Sequence, residues 1–240
     1  MRQALILLPI LYLCLIPGCR QSVENPAIKA TTSEQVIESH QADLDSDGVV
    51  ETVSITAKTW KNGHPMGGAI LVFQPGENGQ QEVWRQENLN PWKLCIADVD
   101  GDGKREIVAG VWKKSPKDPV MAKRPFVYSW NGERMMPKWL GSRLSRRFDD
   151  FTLADINRDG WDEIVALEAA SKGSHRVAVY RWRSFGFDWL GCSSDIADLK
   201  ALRTEKNDVF AVKNTGNILK VHYKKDGIEL ISREDVGDEF

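Results

Sequence analysis

The chain has 240 residues, of which 42% are hydrophobic, 28% charged and 9% aromatic, a composition typical of globular proteins and unlike that of disordered or collagenous chains. The formal net charge is -2, and four cysteines are too few for a disulfide-stapled scaffold of this size. No apolar run reaches the roughly 18 residues that a membrane-spanning helix needs, which excludes a polytopic membrane protein.

The N-terminus is typical of an export signal. A short positive start, Met1-Arg2, precedes an apolar run over residues 4–16 and then Pro17-Gly18-Cys19. This order predicts a signal peptide over residues 1–18. The last four residues of this region resemble a bacterial lipobox, which implies acylation of Cys19, although a plain signal peptide cleaved nearby is the alternative. We therefore expect an extracytoplasmic protein of the bacterial cell envelope, anchored to the membrane by lipid.

The next segment separates this signal from the folded part. Residues 19–36 are polar and lack a sustained period, so we interpret them as a lipid-anchored tether. Residues 37–240 are then the folded domain. Its only cysteines are Cys95 and Cys192, and their separation in sequence leaves open whether they pair, since pairing needs Cα atoms within about 7 Å.

One acidic motif occurs three times in this domain. The segment ADLDSDGVVE at residues 42–51 recurs as ADVDGDGKRE at 97–106 and as ADINRDGWDE at 154–163. The first aspartates, Asp43, Asp98 and Asp155, lie 55 and 57 residues apart. A fourth copy begins at Asp198 but has lost the acidic residues. A fixed period of this size indicates a repeat architecture.

The spacing within the motif favours a hard cation. Over nine residues, positions one, three and five are Asp or Asn, position six is Gly and position nine is Glu. Calcium takes six to eight oxygen ligands, and alternate carboxylates on a tightly curled backbone supply them. The backbone carbonyl at position seven, in Val49, Lys104 and Trp161, can add a further ligand.

The acidic loops also permit other interpretations. Acidic turns that contain glycine also join strands without binding anything, because Asp, Asn and Gly suit turns. Magnesium is disfavoured because it demands near-octahedral geometry, and zinc because it prefers Cys and His. Three copies in register favour about three structural calcium ions.

Short apolar or β-branched runs follow each loop, at residues 52–55, 107–111 and 164–167. A second run follows each of these, and turn signals such as Asn131-Gly132 come after it. These flanks are not the helices of an EF-hand. Units of about 43–57 residues with four short strands each predict an all-β fold, a small β-propeller of about four four-stranded blades.

The motif resembles the FG-GAP and VCBS repeats of bacterial surface proteins, which are also found in integrin α-subunit propellers. The resemblance covers roughly residues 37–225 and implies calcium bound by each loop. The implied ligands are Asp43, Asp45, Asp47 and Glu51; Asp98, Asp100, Asp102 and Glu106; and Asp155, Asn157, Asp159 and Glu163. Propellers of this family more often have about seven blades, whereas this chain has room for four, so we expect a small ring or an incomplete one.

A basic stretch lies outside the loops. Residues 104–147 hold 12 basic and 3 acidic residues, with tryptophans between them. Arginine pairs with carboxylate and phosphate, and indole faces stack on sugars and cations. The stretch predicts a candidate polyanion or glycan surface, although solvated lysines and tryptophans packed between blades are the simpler interpretation. Its residues are Trp112, Lys113, Lys114, Lys123, Arg124, Trp139, Arg143, Arg146 and Arg147.

No motif of nucleophilic catalysis or phosphate binding is present in the sequence. We therefore expect a non-enzymatic, calcium-binding module that presents loops to a protein or an envelope glycan, and not to nucleic acid. The alternative is an enzyme that processes envelope polysaccharide, a lyase or hydrolase, and a third possibility is a subunit that completes its ring with a partner's strands. The candidate acids for an enzyme are Asp149, Asp150, Glu168 and Asp195.

Overall fold

The computed structural model describes residues 34–232 apart from Ser142, and Lys172 without its side chain. The predicted signal, the acylation of Cys19 and most of the tether lie outside these residues. The last two residues of the expected tether, Gln35 and Val36, lie within the described residues and belong to the first strand.

The described residues form an all-β fold with four four-stranded antiparallel sheets and one two-stranded hairpin. The all-β prediction is confirmed. Residues 171–173 form a single turn of 3-10 helix, and no α-helix occurs within the described part of the chain.

The first sheet and the hairpin contain β1 (Gln35–Ala42), β2 (Glu51–Ala57), β3 (Thr59–Lys61), β4 (His64–Met66), β5 (Ile70–Gly76) and β6 (Gly79–Gln86). The sheet has the order β1-β2-β5-β6, and β3 pairs with β4 as an excursion between β2 and β5. Asn62 and Gly63 both have positive φ (51° and 76°), as the tight turn of this hairpin requires.

The other sheets are simple meanders. The second contains β7 (Pro91–Ala97), β8 (Glu106–Ser115), β9 (Asp118–Trp130) and β10 (Met135–Leu140). The third contains β11 (Phe148–Ala154), β12 (Glu163–Ala169), β13 (His175–Arg183) and β14 (Gly186–Cys192). The fourth contains β15 (Leu199–Glu205), β16 (Asp208–Lys213), β17 (Ile218–Lys224) and β18 (Gly227–Ser232).

The second strand of each sheet lies between two others and is the most buried, which explains its apolar and β-branched sequence. Turns close the hairpins where the sequence predicts them. Gly76 faces Gly79 across one turn, and the Asn131 side chain accepts hydrogen bonds from the amides of Glu133 and Arg134 in another.

Consecutive sheets share apolar cores. One cluster joins the first and second sheets through Val53, Val72 and Ile107, among others, and the next joins the second and third through Val108 and Phe151. A third cluster joins the third and fourth sheets. The first strands of all four sheets, β1, β7, β11 and β15, contribute residues to one cavity of about 660 Å³. The chain thus places its first strands together and its sheets face to face in sequence order.

Candidate functional site

The three acidic loops join the first strand of a sheet to its second strand, in the first three sheets. We number them by sheet: the first loop is residues 43–51, the second 98–106 and the third 155–163. All three have the same backbone path. The position-six glycines have φ of 89°, 83° and 93°, and the position-four residues Ser46, Gly101 and Arg158 have φ of 64°, 72° and 66°. Two left-handed residues per loop produce the tight curl that the sequence predicts.

The position-one aspartate organises each curl. Its carboxylate accepts hydrogen bonds from two backbone amides within its own loop. The donors are Asp47 and Gly48 for Asp43 (3.2 and 3.0 Å), Gly101 and Gly103 for Asp98 (2.7 and 2.9 Å), and Asp159 and Gly160 for Asp155 (2.9 Å each).

The position-nine glutamates, Glu51, Glu106 and Glu163, are buried beneath the loops. One oxygen of each accepts a hydrogen bond from the amide at position two, at 3.1, 3.1 and 3.3 Å. This contact places the carboxylate under the curl, and the second oxygen of each, Oε1, accepts a hydrogen bond from a neighbouring side chain.

Carboxylate oxygens gather in the first two loops. One oxygen each from Asp43, Asp45 and Glu51 lie within 4.8 Å of one another, and Asp98, Asp100 and Glu106 repeat the arrangement. A single cation with ligands at 2.3–2.6 Å fits between oxygens at this separation.

Two of these carboxylates, those of Asp45 and Asp100, each have an orphaned oxygen. Asp45 Oδ1 and Asp100 Oδ1 are buried and accept no hydrogen bond within the described part of the protein. A buried acceptor without a partner costs about 1–3 kcal/mol. The residues therefore fit a hard cation, which would supply the missing partner in both loops.

The position-five aspartates are more exposed. Asp47, Asp102 and Asp159 each accept a hydrogen bond from the position-seven amide, of Val49, Lys104 and Trp161 respectively, at 2.7, 2.8 and 3.2 Å. The ligand roles implied for these aspartates, and for the position-seven carbonyls, stay predictions.

The loops differ in what faces their carboxylates. In the first loop, Gln74 Nε2 donates to Glu51 Oε1 at 3.0 Å. In the second, the Lys138 ammonium contacts Asp100 and lies 2.8 Å from Glu106 Oε1. Lysine therefore already provides one positive charge to the second loop.

The third loop is compensated by other groups. Asn157 Nδ2 donates to Glu163 Oε1 at 2.7 Å, and Arg181 Nη1 pairs with Asp159 at 2.8 Å. The guanidinium of Arg181 also lies over the Trp161 ring, 4.5 Å from its centroid. In the third loop an amide thus replaces one carboxylate, and an arginine neutralises another. The first loop has carboxylates at both positions, and only the neutral Gln74 faces its cluster.

The pKa values reflect this crowding. Burial raises the pKa of Glu163 to about 8, and the neighbouring Asp159 carboxylate adds to the increase. Burial also raises the pKa of Glu106, against the opposing effect of Lys138. Burial lowers the pKa of Lys138, but its hydrogen bonds to Asp100 and Glu106 outweigh this effect and the net change is upward.

Consecutive loops are hydrogen-bonded to each other. The Arg105 amide of the second loop donates to the Leu44 carbonyl of the first at 3.1 Å. The Asp162 amide of the third loop donates to the Asp98 carbonyl of the second at 2.8 Å. A cation that fixes one loop would therefore also fix the contact between neighbouring sheets.

A second candidate site is a basic cavity of about 340 Å³ beside β8 and β9. We call it the basic cavity, and its principal side chains are His64, Trp112, Lys123, Arg143, Arg146 and Arg147, with Asp118 and Asp149. Five of these are among the residues that the sequence predicts for a polyanion surface. The hairpin β3–β4 brings His64 to the cavity, where its ring stacks on Trp112 at 3.8 Å and 4°.

Other predicted members of that surface lie elsewhere. Arg124 is fully buried, because its guanidinium pairs with Asp118 at 2.9 Å and donates to the Lys113 and Val120 carbonyls. Trp139 packs against Phe187 beside the core between the second and third sheets. Lys113 and Lys114 are not among the lining residues. The expected surface is therefore a smaller cavity, with Arg124 as a buried support.

Sequence reasoning missed His64 and Asp118. His64 follows Asn62-Gly63, a strong hairpin signal that was available, but its contact with Trp112 joins two sheets and has no local signature. Asp118 binds Arg124 and Arg143, which hold its pKa well below the usual value.

The candidate acids for an enzyme make structural contacts. Asp150 pairs with Lys93 at 3.0 Å and accepts a hydrogen bond from the Leu202 amide at 2.8 Å. Glu168 is buried and pairs with Arg176 at 2.8 Å. Asp149 lies 2.9 Å from His175 Nε2, and Asp195 is exposed.

No family model matches this chain, and no curated protein matches it. Within the described residues, no helix has the length and apolar character needed to cross a membrane.

Cys95 and Cys192 are both free thiols, and burial raises the pKa of Cys95 to about 12.

Proposed function

We propose that this protein is a calcium-binding, non-enzymatic interaction module of the bacterial cell envelope, lipid-anchored through Cys19. Its four sheets would close into a small four-bladed β-propeller around the cavity that their first strands line. Its partner would be a protein or an envelope glycan. Calcium would stabilise the loops, and through them the contacts between sheets, rather than take part in chemistry.

The observation that carries the calcium proposal is the pair of orphaned oxygens in matching places of two loops. Asp45 Oδ1 and Asp100 Oδ1 are buried without a donor, and each belongs to a cluster of three carboxylates. Such clusters repel themselves, and a divalent cation would remove both the repulsion and the missing contact. The residues that would hold it are Asp43, Asp45 and Glu51 in the first loop, and Asp98, Asp100 and Glu106 in the second.

The propeller proposal is supported by topology. Each sheet is a four-stranded antiparallel unit that follows the last in sequence, and consecutive units share an apolar core. This is how blades of a propeller are built. The common cavity at β1, β7, β11 and β15 would then be its central channel.

The test is a thermal melt of the protein without residues 1–19 in calcium, in magnesium and in chelator. At a calcium concentration a hundred times Kd, each occupied loop stabilises the fold by about 2.7 kcal/mol. For a domain of this size this corresponds to a rise in Tm of roughly 5–10 °C. Magnesium should give a much smaller shift.

The matched control carries Asp45→Asn and Asp100→Asn together, because these changes keep side-chain size and remove the orphaned charges. Its Tm should respond to calcium much less than that of the unchanged protein. A calcium response equal in both proteins, or absent in both, would exclude these loops as calcium sites.

A further inference from the structure

We propose that the basic cavity binds one oxyanion group, a carboxylate, phosphate or sulfate, carried by a ligand about the size of a monosaccharide. The inference deepens the proposed binding function by naming a ligand class, and it rests on that function. The cavity lies apart from the acidic loops and shares none of their residues. Calcium binding and anion binding can therefore be tested separately.

The first argument is the balance of charge. Four cationic side chains line the cavity and two carboxylates accompany them. Asp118 pairs with Arg143 at 2.7 Å and with the buried Arg124 at 2.9 Å, and Asp149 contacts His175 at 2.9 Å and Arg147 at 4.0 Å. The lining therefore carries more positive charge than its own carboxylates neutralise.

Two of these cations have no ion-pair partner among the described residues. Among residues 34–232, with the exception of Ser142, neither Lys123 nor Arg146 lies within 4.0 Å of a carboxylate oxygen. The Lys123 ammonium instead donates to the Asp149 carbonyl oxygen and lies over the Trp92 ring, 4.2 Å from its centroid. A partly buried cation whose direct contacts are to neutral groups can still accept an anion as a hydrogen-bonded partner.

The pKa of His64 reflects the cations of the cavity. Burial lowers this pKa, and Lys123 and Arg147 lower it further. Burial also lowers the pKa of Lys123, although Asp149 and Asp150 raise it by more than Arg147 and Lys93 lower it. An anion placed beside His64 would reverse the electrostatic part of the change in its pKa.

The cavity is also preorganised, which limits the entropy lost on binding. Arg124 is fully buried and fixes Asp118, and Asp118 in turn orients Arg143 through its Nε. The stacked rings of His64 and Trp112 form part of the wall. Arginine side chains held in this way suit the two-pronged recognition of an oxyanion.

Size and wall chemistry indicate the rest of the ligand. A volume of about 340 Å³ lies at the small end of ligand sites and suits one sugar ring better than a long polymer segment. Met121 and Phe148 add apolar surface next to the cations. The ligand would therefore be a small organic acid or monoester, such as an acidic sugar unit of a glycan.

The test is calorimetric titration of the protein without residues 1–19 at fixed ionic strength. The probes are sodium phosphate, sodium sulfate, glucuronate, glucose 6-phosphate and neutral glucose. The two charged sugars should bind and glucose should not. Stronger binding of the charged sugars than of phosphate or sulfate assigns the ligand to saccharides, and equal binding assigns it to free oxyanions. Failure of every anion to bind would overturn the proposal.

Charge-removing variants distinguish binding in a defined cavity from non-specific attraction of anions to a basic surface. Lys123→Met should weaken glucuronate or glucose 6-phosphate binding by about tenfold or more, the effect of about 1.4 kcal/mol. Arg146→Met removes the other unpaired positive charge of the cavity. Because Arg146 is exposed, this variant remains informative if Lys123→Met does not fold. Lys114→Met is the matched control, since Lys114 is exposed on β8 but does not line the cavity. Equal weakening by Lys114→Met would refute a built site.

The pH dependence provides a second measurement. The pKa of His64 is below its ordinary value of 6.5, so a bound anion should raise it and bind more tightly as the pH falls towards that pKa. The charged groups that face the cavity with His64 are Lys123, Arg143, Arg146, Arg147, Asp118 and Asp149. His64→Gln should remove this dependence and retain binding at neutral pH. A protein that binds anions but shows no calcium response would retain this inference and lose the calcium proposal.

Discussion

The first and second acidic loops share their backbone, the hydrogen bond beneath the curl and the cluster of three carboxylates. They differ in one neighbour. The carboxylates of the first loop face the neutral amide of Gln74, whereas those of the second face the ammonium of Lys138. The motif therefore determines where the oxygens lie, while the side chain that faces them from a later strand would determine how strongly the proposed calcium is held.

The third loop extends the comparison. Asn157 replaces a carboxylate and Arg181 neutralises another, although burial still raises the pKa of Glu163 to about 8. We therefore expect the demand for calcium to be greatest in the first loop.

The largest effect is expected when the two loops are disabled one at a time. Asp45→Asn should remove most of the calcium response of the first loop, about 2.7 kcal/mol at a hundredfold excess over Kd. In chelator the same variant should be no less stable than the unchanged protein, because it removes an orphaned charge. Asp100→Asn should be destabilising in chelator, because it removes one partner of Lys138. Thermal melts of both variants, in calcium and in chelator, measure this difference in stability.

Equal behaviour of Asp45→Asn and Asp100→Asn in chelator would contradict the distinction between the loops. Asp226→Asn is a suitable control, since Asp226 lies in the turn between β17 and β18, away from all three acidic loops. It should leave the calcium response unchanged.

The second effect concerns the lysine itself. Lys138→Met should increase the affinity of the second loop for calcium by about tenfold or more, since a hydrogen bond to a charged group contributes about 1.5–3 kcal/mol. Without calcium the variant should be less stable, because Glu106 is then buried without its cation. Calcium calorimetry and melts in chelator measure the two changes.

Lys220→Met is the matched control for Lys138→Met. Lys220 pairs with Asp208 at 2.8 Å in the fourth sheet, and Asp208 also pairs with Arg158 of the third loop, so the change does not touch the second loop. Its removal should leave the calcium affinity of the second loop unchanged. A gain in affinity with Lys220→Met would mean that net charge, and not the contact of Lys138, controls binding.

The smallest effect is the reverse experiment. Gln74→Lys places an ammonium opposite Glu51 and should make the first loop resemble the second. Lys138 contacts two carboxylates, whereas Gln74 contacts only Glu51, so for the new lysine we expect a smaller change of roughly 0.2–1 kcal/mol, which is at most about a fivefold loss of calcium affinity. Calorimetry measures the change, and Gln74→Met, which adds no charge, controls for side-chain length. Equal losses in both variants would assign the effect to packing.

The sequence predicts the repeated features well. The loops are local, recur in register and carry their own turn residues, so their boundaries and the strands that follow them can be read directly. The all-β class follows from those strands. Ring closure of the sheets and the bound calcium remain predictions.

The features that were not predicted depend on long-range contacts. Lys138 reaches Glu106 from 32 positions along the chain, and nothing near either residue signals the pair. The basic cavity combines residues of β4, β8, β9 and the segment before β11. A count of basic residues located the region, but it could not separate the buried Arg124 from the lining Arg146, because burial is set by the partners that the fold supplies.

The hairpin β3–β4 has a further consequence. It interrupts the first sheet between two strands that still pair with each other, and no other four-stranded sheet in the described residues contains such an excursion. An addition of this kind can change in length or sequence without shifting the register of its host repeat. Residues 59–66 therefore mark the place where the first sheet departs from the plan of the other three, and exchange of this short peptide would change the wall that His64 gives to the basic cavity while the host sheet keeps its pairing.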